Sequence, residues 1–394
     1  MSVPGEAHDG VQEANPGTSN GTVQEQPLRL AVCEVAPPVG QNGIPTEPVE
    51  EEPTSVNGVV PTEPNLSNGI PESQEKSSSP ATTPFAEPTP ASNSDPVPQL
   101  TAEQQAKYQD LLNTVHSWTS IPNTSAKNAP TAPITDEEKM WLTRECLLRY
   151  LRAVKWNAAE APKRLLATMT WRREYGVDKL TAEHIAPENE TGKQVILGYD
   201  LKARPCLYLI PSRQNTKKSD RQVQHLVFMV ERVIELMVPG QESLSLLINF
   251  KDSNSGEIPS VGQGRQVLNI LQSHYPERLG RAYVINLPWF VNGFFKFISP
   301  FIDPLTREKL KFNEDLREHV PPSQLLSSMG GDVEFAYDHS IYWPALNEMA
   351  EERRQAQVAR WVEGGKHIGE SENYIKGGPE KSVSESTATP SAAV

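Results

Sequence analysis

Asp303-Pro304-Leu305-Thr306-Arg307-Glu308-Lys309 is the stretch whose residue types and spacing come nearest to a binding site. Asp at a helix N-cap followed by Pro at the first helical position is a strong helix start. The carboxylate accepts from a free N–H, and the N–H that proline lacks is not needed there. Thr306 then falls in the first turn and Lys309 one turn on, along the same side. Free N–H groups, a hydroxyl and an ammonium converging at a helix N-terminus can hold a phosphate. By itself the stretch is served at least as well by a capped helix with a solvated Lys309. Two more stretches carry patterned charge. Tyr275-Pro276-Glu277-Arg278-Leu279-Gly280 precedes an apolar strand and alone reads as a polar turn with a surface ion pair. Arg149, Arg152 and Lys155 recur at helical spacing and alone read as a solvated basic face.

Signatures of common enzymes are missing. There is no Gly-x-Ser-x-Gly elbow, P-loop or His-Glu-x-x-His. Gly262-Gln263-Gly264 is a lone Gly-x-Gly, and the eight histidines do not pair at metal-ligand spacing. His225 and His274 each fall in a predicted helix, as core or surface histidines. Cys33, Cys146 and Cys206 are far apart and give neither a disulfide framework nor a zinc spacing. No enzyme activity, cofactor or metal is expected.

The elements that must position the charged stretches follow from periodicity. Thr101–Trp118 is a helix candidate, Thr135 and Glu138 form a capping box opening a helix through Leu151, and another helix runs from Ala158 to Tyr175 and stops at Gly176. Val195–Leu201 and Leu207–Ile210 read as strands around the turn Lys202-Ala203-Arg204-Pro205. Ser219 and Gln222 form a second capping box before a helix ending at Pro239-Gly240. The near-continuous apolar run Leu244–Phe250 predicts a strand buried on both faces. A helix over Val261–His274, a strand over Arg281–Leu287, a short helix from Pro304 and a strand near Leu310–Phe312 follow, then an irregular Val333–Trp343 and a polar helix over Pro344–Val362. Alternating strands and helices predict an α/β domain with a mainly parallel sheet behind a helical N-terminal subdomain. Within it, Pro288–Ile302 is too apolar for a surface helix: Phe290, Phe294, Phe297 and Phe301 make one stripe, and Val291, Phe295, Ile298 and Ile302 another. Such a helix is either fully buried or meets something apolar on each side.

Charge is unevenly placed. Of the net −13, −12 sits in residues 1–100 (14 acidic, 2 basic), leaving −1 for the rest and no basic bias toward nucleic acid. Those residues also hold 17 of the 35 prolines and a single aromatic, Phe85. Such a stretch cannot bury enough apolar surface to offset its ordering entropy, so residues 1–98 are expected to be a disordered leader and 368–394 a disordered tail. Ser79-Pro80, Thr83-Pro84 and Thr89-Pro90 are phosphorylation candidates or plain linker prolines. The first residues lack the basic flank and apolar core of a signal peptide, and no apolar run reaches a membrane span. The expected setting is the reducing cytosol.

In this order and at these separations, Leu-Leu-Arg-Tyr-Leu-Arg-Ala (147–153), Tyr-Pro-Glu-Arg-Leu-Gly-Arg-Ala-Tyr-Val-Ile-Asn-Leu-Pro (275–288), Pro-Phe-Ile-Asp-Pro-Leu-Thr (300–306) and Gly330-Gly331 resemble the CRAL-TRIO lipid-binding family. The likeness covers about residues 140–335 and is greatest to the fungal secretory phosphatidylinositol transfer proteins, in particular their azole-tolerance branch. The resemblance implies N-terminal helices (99–185), a lipid domain (186–345) whose sheet floors a pocket closed by a mobile helical gate, and a C-terminal helix (346–367). Phosphatidylinositol is the implied ligand. Its headgroup site would use Thr306 and Lys309, with Asp303 as cap, Glu277 and Arg278 supporting Lys309, and Lys155 retained from an Arg-Lys pair that here reads Val154-Lys155. Phe290, Phe294, Phe295, Phe297, Ile298 and Phe301 fall on the implied gate, with Trp289, Phe290 and Phe294 as insertion points for transient membrane contact. Relatives that exchange phosphatidylcholine place hydroxyls where this chain has Leu244 and Leu246. Two leucines leave a buried polar headgroup unpaired, which predicts a poor phosphatidylcholine ligand and makes a sterol the candidate second ligand. The resemblance further implies a monomeric carrier at endoplasmic reticulum, lipid-droplet or plasma membranes, or a sensor presenting phosphatidylinositol to a lipid kinase.

Overall fold

A computed structural model describes residues 79–387; most of the expected leader, Cys33 and the last seven residues lie outside the described residues. The helical part comprises α1 (Ala102–His116), a small hairpin of β1 (Ser120–Pro122) and β2 (Thr131–Pro133), then α2 (Asp136–Trp141), α3 (Arg144–Ala153), α4 (Glu160–Tyr175) and α5 (Ala182–Asn189). The expected capping box of Thr135 with Glu138 starts α2, and a further one that was not anticipated, Thr101 with Gln104, starts α1. One helix was expected from Thr135 through Leu151, but the chain breaks at Leu142. Thr143 turns its hydroxyl to the Cys146 N–H at 3.0 Å and begins α3 as a fresh N-cap. Helix α5 was not anticipated; Thr181 starts it by accepting from the His184 N–H.

The sheet follows: β3 (Gln194–Tyr199), β4 (Pro205–Leu209), α6 (Asp220–Leu236), β5 (Leu244–Asn249), α7 (Val261–His274), β6 (Leu279–Ile285), α8 (Trp289–Ile298), α9 (Pro304–Lys309) and β7 (Leu310–Phe312). The five strands lie in sequence order. Only the β3–β4 pair is antiparallel, as its tight turn allows; the others are parallel and need helical crossovers. At α6 the expected capping box is absent. Ser219 makes no side-chain cap bond: the Gln222 backbone N–H donates to the Ser219 carbonyl at 3.2 Å, and the Gln222 side-chain amide turns to Thr216 and the Lys217 carbonyl. Helix α10 (His339–Glu363) starts five residues before the expected polar helix, on the Asp338 cap, and α11 (Glu372–Ile375) and α12 (Val383–Thr387) end the described chain.

Parts of both segments expected to be disordered, residues 79–98 and 368–387, are ordered. Ala81 pairs with Phe335 as an isolated bridge, Phe85 packs on the main core, and the Ala86 carbonyl accepts from Tyr199 and Arg353. Residues 79–98 are therefore laid along the domain, held by a few anchors between prolines. At the other end, Ile368 packs on the helical core and Glu370, Ser371 and Glu372 are buried. Low apolar content was a poor guide here because polar anchoring replaces apolar burial.

Register shows what the sheet offers on each face. Leu207, Leu246, Ala282 and Leu310 align across four strands, as do Leu209, Ile248, Val284 and Phe312. Both rungs are wholly apolar, and alternation puts Leu244 on the same face. The opposite face carries Cys206, Ser245 and Arg281 in register, then Tyr208, Leu247, Tyr283 and Lys311.

Candidate functional site

Helix α8 roofs the apolar face. Val291 is fully buried in a cluster with Phe250 and Val284, against which Ile248, Phe290 and Phe295 pack; Phe295 also meets Phe312 edge-on at 5.4 Å. The neighbouring seam is with α7, where Gly264 leaves room for the roof: a Cβ there would lie 2.4 Å from Ile298 Cδ1 and 3.0 Å from Phe294 Cζ. Of the two stripes, Val291, Ile298 and Ile302 are buried, whereas Phe297 is 68% exposed and Phe301 lies outward against Arg265; Trp289, outside both stripes, is 84% exposed. The helix therefore meets the sheet on one side and solvent with aromatic rings on the other. Beneath it, Leu246 and Ile248 stay only partly buried although β5 is the central strand. Their face is an accessible apolar floor, and the expectation that this strand is buried on both faces is corrected on that side. A separate cleft of about 300 Å³, lined by Trp141, Arg172, Glu231, Glu235, Arg354 and Lys376, is too charged for acyl chains.

The charged corner lies at the far end of the roof. Asp303 caps α9, accepting from the Thr306 N–H at 2.9 Å, and the α7 residue Gln272 clamps the entry by donating to the Phe301 carbonyl and accepting from the Asp303 N–H. Thr306 and Lys309 are half-buried on α9. Lys309 donates to the Leu279 carbonyl at 2.6 Å, which leaves two of its three N–H donors for a ligand. Burial lowers its pKa below the ordinary lysine range, against the opposing charges of Glu277 and Asp303. Glu277 is thus close to Lys309, but its hydrogen-bonded partner is Arg152 of α3. Its φ of 61° is a left-handed conformation that costs a non-glycine residue on the order of 1 kcal/mol. Its ion pair with Arg152 holds it there.

Arg278 sits elsewhere than expected. It is buried, donates to the Glu242 carbonyl at 3.0 Å, and lies 3.5 Å from Glu372. Arg149 joins the same junction, donating to Glu372 at 2.5 and 3.2 Å and to Glu242 at 2.7 Å, while Arg152 reaches Glu242 at 3.1 Å. The basic face of α3 is therefore solvated only at Lys155: Arg149 and Arg152 tie α3 to the loops before β5 and β6 and to the C-terminal segment. Three consecutive residues of the Tyr-Pro-Glu-Arg stretch and the next strand are gripped from three directions, Glu277 by α3, Arg278 by α11 and the Leu279 carbonyl by α9. Lys155 lies exposed just past α3 with φ 53° and makes no ion pair among the described residues. Sequence reasoning missed Glu242 and Glu372; the only signal was their charge, 93 and 223 residues from Arg149 along the chain. Among the described residues no group of His, Cys, Asp or Glu could hold a metal ion, and no helix is long and apolar enough to cross a membrane.

Comparison with known proteins agrees with this architecture. A model of the CRAL/TRIO domain matches residues 189–331, and one of the CRAL/TRIO N-terminal domain matches 107–167. A CRAL-TRIO domain-containing protein of Schizosaccharomyces pombe is 54% identical over 281 residues, 71% of this chain and 28% of that protein. Phosphatidylinositol transfer protein PDR17 of Saccharomyces cerevisiae is 44% identical over 257 residues, 62% of this chain and 73% of that protein. The Sec14 cytosolic factor of Schizosaccharomyces pombe is 28% identical over 212 residues, 48% of this chain and 74% of that protein. The match spans little more than a quarter of the first relative and about three quarters of the other two. With its helical part, its mainly parallel sheet and its apolar floor under α8, the chain belongs to the CRAL-TRIO family.

Proposed function

We propose that the protein is a non-enzymatic carrier that takes single phosphatidylinositol molecules from one cytosolic membrane surface and releases them at another. The observation that carries this reading is the partly accessible apolar floor under α8, which ends at a corner holding Thr306 and Lys309. Acyl chains lie along Leu246 and Ile248, and the phosphate takes the free donors of Lys309 and the Thr306 hydroxyl. Removing the chains from water is worth about 0.8 kcal/mol per CH₂. Because the chains leave a bilayer and not water, the net difference is far smaller and exchange is reversible. Entry and exit require α8 to move. Its outward rings, Trp289 and Phe297, suit it to the membrane interface, where aromatic side chains sit at headgroup level. The relatives named as phosphatidylinositol transfer protein and cytosolic factor support the ligand and the setting.

Leu244 and Leu246 offer no hydrogen bond on the floor face, which favours a sterol over phosphatidylcholine as second ligand. Mass spectrometry of lipids co-purifying with wild type and with Lys309→Ala tests the reading. Phosphatidylinositol in wild type, lost from a folded Lys309→Ala protein, is the expected result, with no phosphatidylcholine in either. Equal phosphatidylinositol in both would exclude Lys309 from the site, and abundant phosphatidylcholine would sink the leucine argument.

A further inference from the structure

On the sheet face away from α8, a cluster of cations is covered by one carboxylate from the N-terminal strap. Asp95 places Oδ1 2.6 Å from Lys202 Nζ and Oδ2 3.9 Å from Arg204 Nη2. The hydrogen bond from Lys202, with the charges of Arg204 and Arg281, holds the Asp95 carboxyl below its ordinary range. An exposed aspartate beside an exposed lysine is commonplace and worth little. What lies beneath it is built. Ser245 donates to Asp200 Oδ2 at 2.6 Å, and buried Asp200 lies 3.5 Å from Arg204 Nη1 and accepts the Lys202 and Arg204 N–H groups. Gly280 lets the guanidinium lie against β6, since a Cβ there would sit 2.5 Å from Arg204 Nε. That Nε is buried without an acceptor. Arg281, in register with Ser245 on the same face, donates only to the Gly280 carbonyl and has no carboxylate partner among the described residues.

We infer that Lys202, Arg204 and Arg281 form a second anion site, which takes a phosphomonoester and which Asp95 plugs in its absence. Charge selects the class. With Asp95 displaced, three cations against Asp200 leave a local charge of +2, which suits the nearly doubly charged phosphomonoester better than a phosphodiester. Displacement is easy because Asp95 is exposed, and no backbone hydrogen bond ties residues 94–100 to the domain among the described residues. A phosphorylated inositol headgroup at a membrane and free phosphate present the same group.

The test titrates the full-length protein with inorganic phosphate, with inositol trisphosphate, and with phosphatidylcholine vesicles carrying or lacking phosphatidylinositol monophosphate. Asp95→Ala should bind on the order of fivefold tighter than wild type, a gain that misfolding cannot produce. Arg281→Gln should bind about tenfold more weakly, with its co-purified lipid unchanged. A response to the soluble probes assigns the free anion, and one confined to the phosphoinositide vesicles assigns the lipid; both support the site. The inference is overturned if Asp95→Ala binds no tighter than wild type with any probe. It is equally overturned if Arg281→Gln binds as wild type does, or if that variant loses its co-purified phosphatidylinositol, which would merge the cluster with the Lys309 corner.

Discussion

The junction around Glu372 and the roof helix α8 both close the sheet domain, yet they are built from opposite materials. At the junction Arg149 and Glu372 keep only 4% and 12% of their side chains exposed and are held by directional, charge-assisted bonds. On α8 the contacts are apolar and non-directional, and its largest rings face outward. Buried ion pairs fix one geometry, since any displacement strands a charge in low dielectric. An apolar face can leave one greasy surface for another at little cost. The difference separates a permanent lock from a part free to move, and it sets the order of the effects below.

Glu372→Ala strands Arg149 and Arg278 without their shared carboxylate and should destabilise by about 3–5 kcal/mol, read by denaturant unfolding. A loss under 1 kcal/mol would mean that the junction is not the lock. Glu145 of α3, buried and accepting the Glu372 N–H at 2.6 Å, is the weak point of the same junction. Burial, and then the nearby Glu372 charge, push its pKa up to about 7. A carboxyl raised above its unfolded value gives stability that is present at low pH and lost as pH rises from about 4.5 to about 7. Glu145→Gln should therefore be stabilising by roughly 1–3 kcal/mol at pH 8 and nearly neutral at pH 4.5. A gain of equal size at both values would remove titration as its cause.

At the roof the stability effects shrink and the functional ones take over. Gly264→Val pushes into Ile298 and Phe294, so it should cost only about 1–2 kcal/mol while speeding release of bound lipid. Unchanged release kinetics would show that the α7–α8 seam does not control access. Phe297→Ser should leave stability within about 0.5 kcal/mol and weaken binding to vesicles, measured by sedimentation. Undiminished vesicle binding would place the membrane contact elsewhere.

The contrast also explains what could be read from the sequence. Helix α7 and strand β7 fall at their expected bounds, and the double stripe of α8 was visible because periodicity is a local property. Asp303 as cap, with Thr306 in the first turn, was equally local. The junction was not legible. Arg149 looked like part of a solvated face because its partners are distant in the chain, and Arg278 was assigned to Lys309 when its carboxylate lies in a tail read as disordered. Phe85 and Glu372 show the same failure: a single anchor in a polar, proline-rich or charged stretch leaves no period to detect. The break at Thr143 was hidden because a threonine inside an apolar run and one capping a new helix look alike until the hydroxyl finds its N–H.

The most direct test of the account is vesicle-to-vesicle transfer of labelled phosphatidylinositol by wild type and Lys309→Ala, with phosphatidylcholine transfer measured in parallel. Wild type should transfer phosphatidylinositol, Lys309→Ala should lose about tenfold or more of that transfer with its melting temperature within about 2 °C, and neither should transfer much phosphatidylcholine. Undiminished phosphatidylinositol transfer by a folded Lys309→Ala protein would contradict the account.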